Sequence, residues 1–129
     1  MVFKNAKNSK QQGDVGLGTA IAYYTQEGYT VCIPLTDGQD YDLIVENGEM
    51  QRVQVKTTRQ KKSEGVYEVN LRVFGGNRSG KDIVKKFDNE KVELLFVLCE
   101  NGDRYNIPAG VIKSGNCIVV GRKYKEYKI

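Results

Sequence analysis

The chain has 129 residues, 40% apolar and 28% charged with a net charge of +4, which suits one hydrophobic core and leaves no room for a second catalytic domain. No apolar run reaches the roughly 18 residues of a membrane-crossing helix, and the polar, Lys-rich start has no apolar signal core, so the expected location is the cytoplasm. There is no His, and Cys32, Cys99 and Cys117 sit in apolar stretches without CxxC spacing, so a zinc centre lacks ligands and buried, unpaired thiols are expected.

Met1 to Gln12 reads as a flexible arm, and residues 13–129 as one domain without internal repeat or linker. From Asp14, Leu17, Ala20, Ile21 and Tyr24 recur at helical spacing, with Asp14 as the expected N-cap and Gly28 as the stop. Tyr29 to Ile33 is an expected strand ended by Pro34. Asp42-Leu43-Ile44-Val45 and Val53 to Thr58 then read as two strands joined around Glu46-Asn47-Gly48-Glu49, since Asn-Gly between apolar runs signals a hairpin.

On the second of these strands, alternation turns Val53 and Val55 into the core and sets Gln54 and Lys56 together on the opposite face. An acid on one strand, with an oxygen-bearing side chain and a lysine two residues apart on its neighbour, suits a divalent cation and a cationic amine beside one phosphate. Asp40 and Asp42 are both candidate acids; Asp42 fits the spacing and starts the apolar run.

Lys56 to Lys62 carries Lys56, Arg59, Lys61 and Lys62 with no acid, and Arg122 to Lys128 carries four basic residues against Glu126. Acids gather instead at Asp37, Asp40, Asp42, Glu46 and Glu49, and an acidic centre flanked by basic segments suits a phosphodiester backbone. The alternative for the basic runs is plain solvated surface. Val66 to Val73 alternates as a strand, expected to pair with the Gln54–Lys56 strand. Gly75 to Lys81 satisfies a phosphate-loop pattern and fails at Asp82, where a hydroxyl should meet magnesium; Arg78 and Lys81 on this loop are candidate backbone contacts for DNA.

Lys81 to Phe87 reads as a short helix, Val92 to Cys99 as a buried central strand, and Tyr105 to Pro108 and Cys117 to Val120 as strands joined by a helical turn at Val111-Ile112. The tail alternates Lys with Tyr, whose rings either stack on bases or cover the core edge.

Asp42, eleven intervening residues and then Gln54-Val55-Lys56 resemble the motif of the PD-(D/E)XK nuclease superfamily, with Gln54 where most members carry an acid. Within it the chain is similar to small bacterial and intron-encoded (homing) endonucleases. Gly13-Asp14-Val15-Gly16, Pro34-Leu35-Thr36-Asp37, Tyr105-Asn106-Ile107-Pro108 and the Tyr-rich end extend the likeness over most of the chain. The resemblance implies a restriction-endonuclease-like αβββαβ core, an α/β fold with a mixed central sheet flanked by helices.

It also implies a magnesium-dependent endonuclease, with manganese as a substitute ion, acting on double-stranded DNA as a homo-oligomer, either dimer or tetramer. Asp42, Gln54 and the Val55 carbonyl would hold the metal, Lys56 would serve the attacking water, and Arg59, Lys61, Lys62, Arg78 and Lys81 would meet the DNA. Many members carry a Glu on the first helix where this chain has Leu17; Asp14 either substitutes for it or merely caps the helix. Two other functions compete: a catalytically inactive DNA-binding module on the same fold, favoured by Gln54 and Leu17, and a small nucleotide-binding protein using the Gly75–Lys81 loop.

Overall fold

The first helix is set by an asparagine that periodicity does not reveal. In the computed structural model, which describes residues 1–75 and 83–129, α1 spans Ser9–Gln26, and the Asn8 side-chain oxygen accepts the Gln11 N–H at 2.9 Å. The Gln11 side chain in turn accepts the Lys7 N–H at 2.9 Å. Asp14 therefore lies inside the helix, exposed, and is not its cap.

Nor is Met1 to Gln12 a loose arm, since its last four residues belong to α1. Phe3 is 1% exposed, and the Val2 N–H donates to the Glu100 carbonyl at 3.0 Å. Burying one aromatic ring is worth on the order of 2 kcal/mol, enough to hold so short a segment down.

The main sheet contains β1 (Thr30–Cys32), β2 (Leu43–Glu46), β3 (Met50–Thr58), β8 (Leu94–Cys99) and β9 (Arg104–Pro108), in that spatial order. β2 and β3 form the expected hairpin, with Gly48 at φ +88° in its turn, a left-handed conformation that favours glycine. β3 runs parallel to β8, and the other pairings are antiparallel. A second sheet has the order β10 (Cys117–Val120), β5 (Val66–Asn70), β4 (Gln60–Ser63). β6 (Val73–Gly75) and β7 (Ile83–Lys85) form a separate hairpin.

These elements stack in three layers, α1, the main sheet and the small sheet, with a core on each face of the middle one. β8 shows why. All six of its residues are buried, Leu94, Phe96 and Leu98 packing with α1 and Leu95, Val97 and Cys99 toward the small sheet, so a strand covered on both faces reads as an unbroken apolar run.

Three further expectations need correction. β5 does not pair with β3; its hydrogen-bonded neighbours are β4 and β10, and it packs face to face against β3, where the Thr58 hydroxyl donates to the Glu68 carbonyl. The segment expected as a helix from Lys81 to Phe87 enters strand β7 over Ile83–Lys85, so α1 is the one α-helix among the described residues. Of the cysteines only Cys99 is buried, its thiol pushed up to about 12 by desolvation, whereas Cys32 and Cys117 are exposed. The tail tyrosines Tyr124 and Tyr127 are half-buried against the core edge. The loop carrying Arg78 and Lys81 lies outside the described residues, as does most of the phosphate-loop pattern.

Candidate active site

The site forms where β3 outlasts its neighbour. Pairing with β2 reaches Val53, whose carbonyl accepts the Asp42 N–H at 2.8 Å. Beyond that point Asp42 turns its side chain onto the free edge, and Oδ2 accepts the Val55 N–H at 2.8 Å. The N–H and C=O of one strand residue leave by the same edge, so the Val55 carbonyl shares this side with the Asp42 carboxylate. Gln54 and Lys56 project from the face of β3 opposite to Val53 and Val55, whose side chains pack with α1.

Electrostatics separates these groups. The Asp42 carboxyl keeps solvent access on one side, yet the surrounding protein desolvates it and raises its pKa against the opposing pull of the Val55 N–H and the Lys56 charge. Burial pushes the Lys56 amine down, partly offset by Asp42. Lys56 Nζ donates to the Arg72 carbonyl at 2.8 Å, so a residue just past β5 fixes where the amine sits. Nothing in the local sequence pattern marks Arg72 for that task.

Gln54 is 5% exposed, and among the described residues its Oε1 has no hydrogen-bond partner. It lines a recess of about 10 Å³, room for one water, together with Asp40, Asp88 and Lys86. Of the two candidate acids, Asp42 accepts the Val55 N–H, and Asp40 lines the Gln54 recess. A buried amide oxygen without a donor is costly unless a cation or water serves it. A carboxylate, an amide oxygen and a backbone carbonyl are hard oxygen donors of the kind magnesium and manganese accept, so the residues present fit such an ion. Among the described residues no cluster of three or more His, Cys, Asp or Glu side chains exists.

Beside Val55 and Lys56 runs a groove of about 580 Å³ that also includes Gln12, Arg59, Glu68 and Arg72, while Asp42 and Gln54 lie outside its wall. Its helix wall approaches closely because residue 16 is glycine; a Cβ there would overlap Thr57 Cγ2 and come within 3.3 Å of Val55 Cγ1. Gln12 ties the same wall to β3 by donating to Thr57 Oγ1 at 2.9 Å. Asp14 stays exposed outside the groove, 3.8 Å from Lys10. Leu17 is half-buried in the core beneath α1.

The basic candidates Arg59, Lys61 and Lys62 each have a partner within the chain. Arg59 donates to the Gln12 side chain at 2.8 Å and the Phe3 carbonyl at 2.9 Å, and its guanidinium lies 5.5 Å from the Phe3 ring centroid. Lys61 pairs with Glu64 at 2.8 Å and Lys62 with Glu68 at 3.5 Å.

A family model described as PD-(D/E)XK endonuclease matches residues 7–125. A solved structure described as a bacterial homing endonuclease, I-Ssp6803I, superposes with a TM-score of 0.72 at 27% identity, covering 88% of this chain and 78% of that one. No curated protein matches the sequence. No helix among the described residues is long and apolar enough to cross a membrane.

Proposed function

Because this chain belongs to the PD-(D/E)XK endonuclease family, we propose that it hydrolyses DNA phosphodiester bonds at the open edge of β3 with the help of a divalent cation, magnesium or manganese. The observation that carries the reading is the bond from the Val55 N–H to the Asp42 carboxylate at the open edge of β3, with the Lys56 charge acting on the same carboxylate. Asp42, Gln54 Oε1 and the Val55 carbonyl are the residues that would hold the ion. When bound, it would supply positive charge beside the phosphate and a more acidic water.

The chain's own contribution starts with Lys56. Held by the Arg72 carbonyl, the amine is pre-positioned, and its lowered pKa lets it give up a proton more readily than a solvated lysine. In its charged form it offsets the negative charge that builds on the phosphorane. The Val55 N–H keeps the Asp42 carboxylate in one orientation, so no side-chain entropy is lost when the substrate arrives.

Family membership makes a nucleic acid the substrate class. Duplex DNA and a homo-oligomer that cuts both strands are our reading, supported by the resemblance to a bacterial homing endonuclease. The test is nicking of supercoiled plasmid in magnesium, manganese or EDTA by the wild type, Asp42→Asn and Lys56→Ala. Metal-dependent nicking that both variants lose is expected; nicking that persists in either variant removes that residue from the mechanism.

A second reading, a DNA-binding module without catalysis, is favoured by Leu17. Its side chain is committed to the apolar core, so α1 offers no carboxylate at that position. DNA bound by the wild type and never cut under either metal would select it.

A further inference from the structure

The small sheet carries a second groove that the site described above does not use. It measures about 530 Å³ and is lined by Cys117, Ile118 and Val119 of β10 and by three cations, Lys113, Arg122 and Lys123, with no acid in its wall. Antiparallel register fixes its position relative to the active groove. Cys117 lies opposite Asn70 and Val119 opposite Glu68, and directly paired residues project from the same face of a sheet. Asn70 and Glu68 line the active groove. Cys117 and Val119 of this groove and Asn70 and Glu68 of the other therefore share one face of the small sheet, on adjacent strands.

The cations are held there by a turn that only glycine permits. Gly121 has φ +107°, and a Cβ on it would overlap the Gly65 carbonyl oxygen, so the turn after β10 presses against the β4–β5 turn. This seats Arg122 beside Ser63, to whose hydroxyl it donates at 3.2 Å. Lys113 donates to the Gly110 carbonyl at 2.9 Å. Among the described residues none of Lys113, Arg122, Lys123 and the groove residue Arg72 is in an ion pair, unlike Arg59, Lys61 and Lys62.

We propose that this outward face, running from Arg72 across β10 to Lys113, Arg122 and Lys123, is a track for the sugar–phosphate backbone of duplex DNA flanking the cleaved bond. The cations that carry affinity are then these four, which pair with no carboxylate among the described residues, rather than Arg59, Lys61 and Lys62, each of which lies within 3.8 Å of one. A polyanion is the occupant that matches a wall with three cations and no carboxylate. The proposal rests on the nuclease reading above.

The test is fluorescence-anisotropy titration of a labelled duplex in EDTA across a salt series. It compares the wild type with the triple variant Lys113→Ala/Arg122→Ala/Lys123→Ala and with a charge-matched control, Lys4→Ala/Lys85→Ala/Lys91→Ala, whose residues line neither groove. Removing the track cations should weaken binding at least about tenfold and flatten the plot of log K against log salt by about 2 to 3, with a smaller effect in the control. Circular dichroism melts confirm that each variant is folded. Equal slopes and affinities for wild type and triple variant, or equal losses in triple variant and control, overturn the track while leaving the nuclease reading standing. Failure of the wild type to bind any duplex at low salt overturns both.

Discussion

The carboxylate of Asp42 accepts the backbone N–H of Val55 at 2.8 Å, taking the place of the next rung in a ladder that β2 no longer supplies. One bond thus both ends the strand pairing and aims the acid at the edge where the chemistry is proposed. The arrangement costs stability, because the charged carboxylate is partly desolvated there.

That cost predicts a pH signature. The folded-state pKa of Asp42 lies above its ordinary 3.8, so in the window between the two values the folded chain binds more protons than the unfolded one. The resulting stabilisation is fully present below 3.8 and is lost as pH rises through the folded value. Asn cannot ionise and can still accept the Val55 N–H. Asp42→Asn should therefore melt above the wild type at pH 7, with the gap closing as pH falls toward 3.5, while nicking activity disappears. A variant that melts lower at pH 7 would mean that the attraction between Asp42 and Lys56 outweighs desolvation.

Gln54 offers a gain-of-function test. Its buried Oε1 has no partner among the described residues, and a carboxylate is a stronger ligand for a hard cation than an amide. Gln54→Glu should lower the magnesium concentration for half-maximal nicking by about tenfold, equivalent to about 1.4 kcal/mol of ion binding. An unchanged magnesium requirement would place the ion outside the reach of residue 54.

Two helix glycines should respond with opposite sign. Gly18 has nothing within 4 Å of an added Cβ, so Gly18→Ala should stabilise by about 0.5–1 kcal/mol through helix propensity. Gly16→Ala gains the same propensity but drives a methyl into Thr57 and Val55. Overpacking of this kind costs about 1–3 kcal/mol, so the net change should be destabilising. Urea unfolding of both variants gives the comparison; equal stabilisation would show that α1 slides away from β3 without cost.

The N-terminal segment can be probed at Phe3. Its ring is 1% exposed and packs in the core shared with Tyr24 and Phe96. Phe3→Ala should cost about 3 kcal/mol or more in unfolding free energy. A change below about 0.5 kcal/mol, normal for a surface position, would restore the picture of a loose arm.

Much of the fold was legible because local rules dominate it. The Asn-Gly turn fixed the β2–β3 hairpin, and the run from Val92 to Cys99 announced a strand buried on both faces, as β8 is. Alternation along β3 placed Gln54 and Lys56 on the face away from the core beneath α1. The helix start was missed because Asn8 caps it by accepting the Gln11 N–H while the Gln11 side chain accepts the Lys7 N–H, and neither bond carries a hydrophobic period. The partner of β5 was missed because strand pairing is a long-range choice: β5 and β3 are consecutive amphipathic runs, yet they meet through their faces and not their edges.

The sequence by itself determined the family's motif residues and their spacing on two strands, since a two-residue period and a tight turn leave little freedom. Only the tertiary structure decided which basic residues remain available. Arg59 is drawn to Phe3 and Gln12, and Lys61 and Lys62 to nearby acids, while Arg72, Lys113 and Lys123 are left outside ion pairs among the described residues. A charge run is visible in one dimension, but what each charge binds depends on partners as distant as 56 residues along the chain, brought close by packing alone.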